Sequence, residues 1–162
     1  MKKYSGYIIL GNLILFLGLF INAVVQKEDI IDEGQLILLE LAPVDPRSLM
    51  QGDYMQLNYM VSGDVIVNRI PKRGYCVVTL DSDGVAKRDR FQKKNALKNE
   101  NEYLIEYTVG EWNTVQIGAE SYFFQEGEGE KYAEAKYGGV KVDEKGNSVL
   151  VGLYDSDRKK IE

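Results

Sequence analysis

The 162 residues include no histidine and a single cysteine. Without histidine, Ser-His-Asp and Cys-His catalysis, His-ligated zinc or haem, and imidazole pH switching are all excluded. With one cysteine no intramolecular disulfide can form. Cys76 lies in the apolar run Tyr75-Cys76-Val77-Val78. A small buried hydrophobe is the expectation there, since an activated thiol needs a neighbouring base or cation. Positive charge is also short. Setting aside Lys2 and Lys3, 18 basic residues face 25 acidic ones, so the chain beyond residue 25 carries a net −7. Such a body is repelled by nucleic acid and by anionic lipid, so neither is an expected partner. No repeat or low-complexity segment occurs, and 28% charged against 44% apolar residues is a globular balance.

One long hydrophobic run stands out. From Tyr7 to Val25 the chain is uncharged, and Asn12 and Asn22 interrupt its apolar character. As a helix this run covers about 28 Å, close to the hydrocarbon thickness of a bilayer. It is longer than a signal-peptide core, and Ile21 spoils a small-x-small cleavage site at Ala23, so an uncleaved anchor is expected. Lys2 and Lys3 precede the run, whereas Lys27 is accompanied by Glu28 and Asp29. The positive-inside rule then keeps the N-terminus in the cytoplasm and puts the body outside, in the periplasm of a diderm cell. Residues 1–25 read as the anchor, 26–34 as a linker, 35–155 as the folded domain and 156–162 as a charged tail that frays.

Within the domain, Gln35–Leu41 is nearly continuous in apolar residues and reads as a central strand. Asp45 and Pro46 suit a single helical turn over Asp45–Met50, which Gly52 breaks. The next strand divides by alternation. Asp53, Met55, Leu57, Tyr59 and Val61 form a core row, and Tyr54, Gln56, Asn58 and Met60 a half-solvated one. Asp53 at the head of the core row is expected to bond amides of the preceding turn. Strands are also expected at Asp64–Ile70 and Gly74–Leu80, then over Val85–Phe91 after the turn Asp81-Ser82-Asp83-Gly84. That turn resembles the start of a calcium loop, but the later ligands of an EF-hand are missing. A polar loop over Lys93–Glu102 precedes a hairpin of Glu102–Val109 and Thr114–Ile117. In Ser121-Tyr122-Phe123-Phe124-Gln125-Glu126-Gly127 the adjacent phenylalanines are expected to be buried. Glu128–Tyr137 reads as a helix stopped by Gly138-Gly139, and a last hairpin joins Val140–Val142 to Ser148–Tyr154. The sum is a mainly β protein, an antiparallel β barrel or sandwich with one short helix, on a single N-terminal transmembrane helix.

The stretch Gly52-Asp53-Tyr54-x-x-Leu57-x-Tyr59 resembles the signature of the GDYXXLXY proteins, a family of bacterial membrane-associated proteins. Tyr122-Phe123-Phe124-x-Glu126-Gly127 and Gly146-x-x-x-Leu150-x-Gly152-Leu153 are similar to further family features. The resemblance covers about residues 35–155. It implies a multi-pass membrane protein as partner and makes no catalytic assignment; the residues themselves lead to an expectation of lipid contact through residues 7–25 and of no cofactor or metal. The residues that the resemblance singles out are Gly52, Asp53, Tyr54, Leu57, Tyr59, Glu126 and Gly127.

Two enzymatic alternatives follow from the same residues. Asp53 and Glu126 each stand beside glycine and aromatic residues, and a cleft bringing them within about 5–9 Å would suit glycosidase-like acid-base chemistry or sugar binding. The rival expectation is that each acid serves loop amides. Leu49-Met50-Gln51-Gly52-Asp53-Tyr54-Met55 is also similar to a segment of type I signal peptidases, which use a Ser-Lys dyad. Eight residues before Gly52, however, stands Val44 rather than serine, and Ser48 is too close to the turn. A degenerate relative is all that comparison implies.

Overall fold

The apolar run forms one long helix. In the computed structural model, which describes residues 5–42, 54–97 and 99–162, helix α1 spans Ser5–Glu33. Its large apolar side chains from Tyr7 to Val25 are exposed on every side, and it is long and apolar enough to cross a membrane. The Asn12 amide donates to the Ile8 carbonyl one turn back, which satisfies it within its own helix. Residues 26–33, read as linker, continue the helix and dock it on the domain. Ile30 is buried, and the Lys27 ammonium donates to the Ser148 carbonyl at 3.2 Å. The Lys141 ammonium donates to the carbonyls of Ile31 and Asp32, capping the helix end where orphan carbonyls and the dipole both favour a cation.

The domain is built from antiparallel sheets that do not close into a barrel among the described residues, a sandwich-like arrangement. Strand β1 (Gln35–Glu40) pairs with β8 (Tyr137–Val142), which pairs with β9 (Ser148–Tyr154). The second sheet has the order β4 (Ala86–Gln92), β3 (Arg73–Leu80), β5 (Glu102–Val109), β6 (Val115–Gln116). Strand β2 (Tyr54–Gln56) and β7 (Ser121–Phe123) form a separate two-stranded ribbon. One side chain of every second residue faces the common core. Ile37, Leu39, Val140 and Leu153 of the first sheet meet Cys76, Val78, Ile105 and Tyr107 of the second, all essentially fully buried. On the outer face of the second sheet, register places Arg90, Val77 and Leu104 side by side. The Arg90 guanidinium holds both oxygens of buried Glu102 at 2.8 Å, so this ion pair arches over β3 and roofs Val77.

Several sequence expectations change. Strand β1 lies at the edge of its sheet rather than at its centre; Leu38 on its outer face is buried beside a bridge to Val85, just before β4, while Leu36 on the same face is 36% exposed. Asp64–Ile70 forms no strand. Asp64 turns with a positive φ of 49°, and Val67–Arg69 is a 3-10 turn that tucks Val65, Val67 and Ile70 against the core without a neighbour to pair with. The expected helix over Glu128–Tyr137 shrinks to α2 (Gly129–Tyr132). Gly138 and Gly139 do not stop a helix but lie within β8. A Cβ on Gly138 would meet the Tyr59 ring at 2.8 Å, and one on Gly139 the Tyr154 ring at 2.3 Å. Glycine is there so that aromatic rings can rest on backbone. The tail does not fray: Ile161 donates its N–H to the Leu153 carbonyl at 2.9 Å and packs on the core, and Lys160 bridges to Tyr154. Its hydrophobe and turn-forming Asp155, which accepts the amides of Asp157 and Lys159, outweigh its charge.

Candidate functional site

The tyrosine strand delivers the core row expected of it. Met55, Leu57, Tyr59 and Val61 are all buried, while Tyr54, Gln56, Asn58 and Met60 are exposed. Regular strand structure covers only Tyr54–Gln56; beyond it the chain stays extended, then closes in a 3-10 turn at Met60–Ser62. The Leu57 N–H donates to the Glu120 carbonyl, and the Asn58 carbonyl accepts from the Ala42 N–H, both at 2.7 Å. The Tyr59 hydroxyl donates to the Ala119 carbonyl at 2.5 Å. Burial, with Glu120 adding to it, holds that phenol well above its ordinary pKa, so Tyr59 is a neutral structural strut. Gly52 and Asp53 lie outside the described residues, as does the turn expected over Asp45–Met50.

Strand β7 comes from the second singular stretch of the sequence. It pairs Phe123 with Tyr54, Tyr122 with Met55 and Ser121 with Gln56. The two stretches that composition set apart are thus hydrogen-bonded neighbours. The inward row of this ribbon is packed: Tyr122 meets Tyr132 edge-on at 5.0 Å between centroids, and Phe124 meets the same ring at 5.6 Å. Burial, then hydrogen bonding to Tyr132, pushes the Tyr122 phenol up to about 12. The outward row is different. Tyr54 and Phe123 lie side by side, 5.7 Å between centroids, and are 37% and 73% exposed. Gln56 and Ser121 continue the same face, both exposed. Burial of both phenylalanines was expected; only Phe124 turns inward, because period-2 alternation sends neighbours to opposite faces. Phe123 and the packing centre Tyr132 are the residues that sequence reasoning missed. The in-out-in order of Tyr122, Phe123 and Phe124 was the signal that could have found the first.

Beside the ribbon runs a groove of about 550 Å³, between the chain from Met55 to Met60 and the segment from Tyr132 to Tyr137, with Glu40, Leu41 and Ala42 along its base. Leu57 bonds toward β7 and Asn58 toward Ala42. By the same alternation the backbone of Gln56 faces the groove. Glu126 borders neither this groove nor a smaller one of about 260 Å³ near Tyr59 and Glu120. Glu126 and Gly127 are the two central residues of an exposed turn closed by the Glu128 N–H on the Gln125 carbonyl at 3.0 Å. Gly127 has φ +88°, the left-handed conformation that this turn position requires. Asp81 likewise serves a turn, accepting the amides of Asp83 and Val85 at 3.0 Å. Burial pushes the Cys76 thiol up to about 12, which leaves it unreactive at neutral pH.

The comparisons agree with the signature. A family model described as GDYXXLXY protein matches residues 16–153. No curated protein and no solved structure matches the chain.

Proposed function

Since the chain belongs to the GDYXXLXY protein family, we propose that it is a single-pass, membrane-anchored interaction module. Its β domain stands outside the cytoplasm and docks on the extracytoplasmic part of a multi-pass membrane protein. The observation that carries this reading is the uncovered aromatic pair Tyr54 and Phe123, presented by the two family stretches on an otherwise polar face. Exposed aromatics that cost solvation and contribute little to the core are what binding centres are made of. The lysines before the apolar helix and the acids after it support an N-terminus inside the cell.

A photo-cross-linking residue in place of Phe123, in the full chain in its native membrane, tests the reading. The expected product is an adduct with one integral membrane protein, absent when the same residue replaces exposed Asp83, whose turn lines neither groove. Adducts with lipid alone, or none, would overturn it. A second reading, binding of an envelope glycan, draws on Gln56 and Ser121 flanking the rings, the amide and hydroxyl that sugar recognition uses. Retention of the chain on insoluble cell-wall glycan, lost in Phe123→Ala, would favour it over the protein partner. Carboxylate catalysis gains no support from Glu126, which sits on the open turn.

A further inference from the structure

Basic residues collect at one end of this acidic domain. Lys145 stands in the turn between β8 and β9, Lys93 and Lys94 in the loop after β4, and Lys72 with Arg73 where β3 begins; all are exposed. Contacts tie these pieces together. The Asn95 amide donates to the Lys145 carbonyl at 3.3 Å. The Glu106 N–H donates to the Gly146 carbonyl at 2.8 Å, and the Tyr75 ring lies over Gly146. On the other side of the same turn the Lys27 ammonium, two residues past Val25, reaches the Ser148 carbonyl. The basic end is therefore the end from which α1 leaves the domain.

The loop itself is shaped rather than loose. The Gln92 amide donates to the carbonyls of Lys94 and Ala96 at 2.8 and 2.7 Å, and Leu97 follows, 49% exposed. The acids at this end are Glu100, Glu106 and Glu144, with Glu28, Asp29, Asp32 and Glu33 on the helix; the carboxylate of Asp143 is taken up by the amides of Lys145 and Asn147. The body as a whole repels anionic lipid, so any attraction is confined to the lysines of the loop and turns, set apart from the acidic helix face.

We propose that this end of the domain rests on the membrane surface, its lysines over anionic phospholipid headgroups and Leu97 in the interface. The inference rests on α1 crossing the membrane. Continuity favours lipid as the occupant, because the contacts that hold the helix exit also hold the loop beside it. Each lysine near an anionic surface is expected to add about fivefold to the surface-bound population, and its long stem suits the headgroup zone.

The test uses the full chain in vesicles of phosphatidylcholine, with and without phosphatidylglycerol, carrying a spin label at Leu97→Cys. Buried Cys76 escapes labelling. With phosphatidylglycerol the label is expected at headgroup depth. Lys93→Glu with Lys94→Glu, or high salt, should return it to water. A label at Leu15→Cys separates the two readings. If Leu15 lies in lipid while Leu97 stays aqueous, the surface contact is wrong and the anchor stands. If Leu15 is aqueous, the anchor itself fails and the contact with it. Immersion of Leu97 that ignores phosphatidylglycerol would overturn the headgroup pairing.

Discussion

The two-stranded ribbon and the paired sheets obey the same alternation, yet they treat their outward rows differently. On the outer face of the second sheet Val77 and Leu104 are buried beside the ion pair of Arg90 and Glu102. On the ribbon, Tyr54 and Phe123 have each other and solvent. Covering Val77 requires a buried carboxylate and its guanidinium, an arrangement that is costly to form and to break. Among the described residues nothing comparable covers Phe123. The proposed docking role of the ribbon draws on that difference.

Substitutions can sharpen that contrast, from the largest effect to the smallest. Ile105→Ala empties a fully buried position in the paired sheets and should cost about 2–5 kcal/mol, read as a lower urea midpoint of the detergent-solubilised chain. Gly138→Ala pushes a methyl into the Tyr59 ring and should cost about 1–3 kcal/mol by the same measurement. An unchanged midpoint would mean that Tyr59 moves freely, and that the strand is not pinned to β8. Phe123→Ala should cost less than about 1 kcal/mol, the worth of one exposed aromatic pair, while it abolishes partner adducts formed from a cross-linker at Tyr54. A large loss of stability there would erase the distinction between ribbon and sheet.

The smallest effect belongs to the hairpin turn at Asp81. Its carboxyl is held below the ordinary carboxylate pKa, chiefly by the amides of Val85 and Asp83. With the folded value depressed, the stabilisation is complete above the unfolded pKa and disappears as pH falls through the folded one. Urea midpoints measured downward from about pH 4 should therefore fall less steeply in Asp81→Asn than in the parent chain.

How far the site was legible in sequence can be followed residue by residue. Period-2 alternation assigned Met55, Leu57 and Tyr59 to the core and Tyr54 to solvent, because one strand with one wet face leaves that pattern intact. It could not say that Phe123 lies against Tyr54, since they stand 69 positions apart and only the fold brings them together. Gly138 and Gly139 were misread for a related reason. Two glycines after a polar, helix-compatible stretch look like a local stop signal, but what they answer to is a pair of aromatic rings from other strands.

By itself, then, the sequence determined the long apolar helix, the hairpin turns at Asp81 and Asp143, the inward row of the tyrosine strand and the family. Each depends on composition or spacing within a few consecutive residues, where local sterics and hydrophobicity decide. Tertiary structure alone decided the pairing of the two aromatic stretches, the exposure of Phe123, the arch of Arg90 over Val77 and the place of the basic loop beside the helix exit. Those depend on which distant segments meet, a matter of register and packing that no local window of the chain contains.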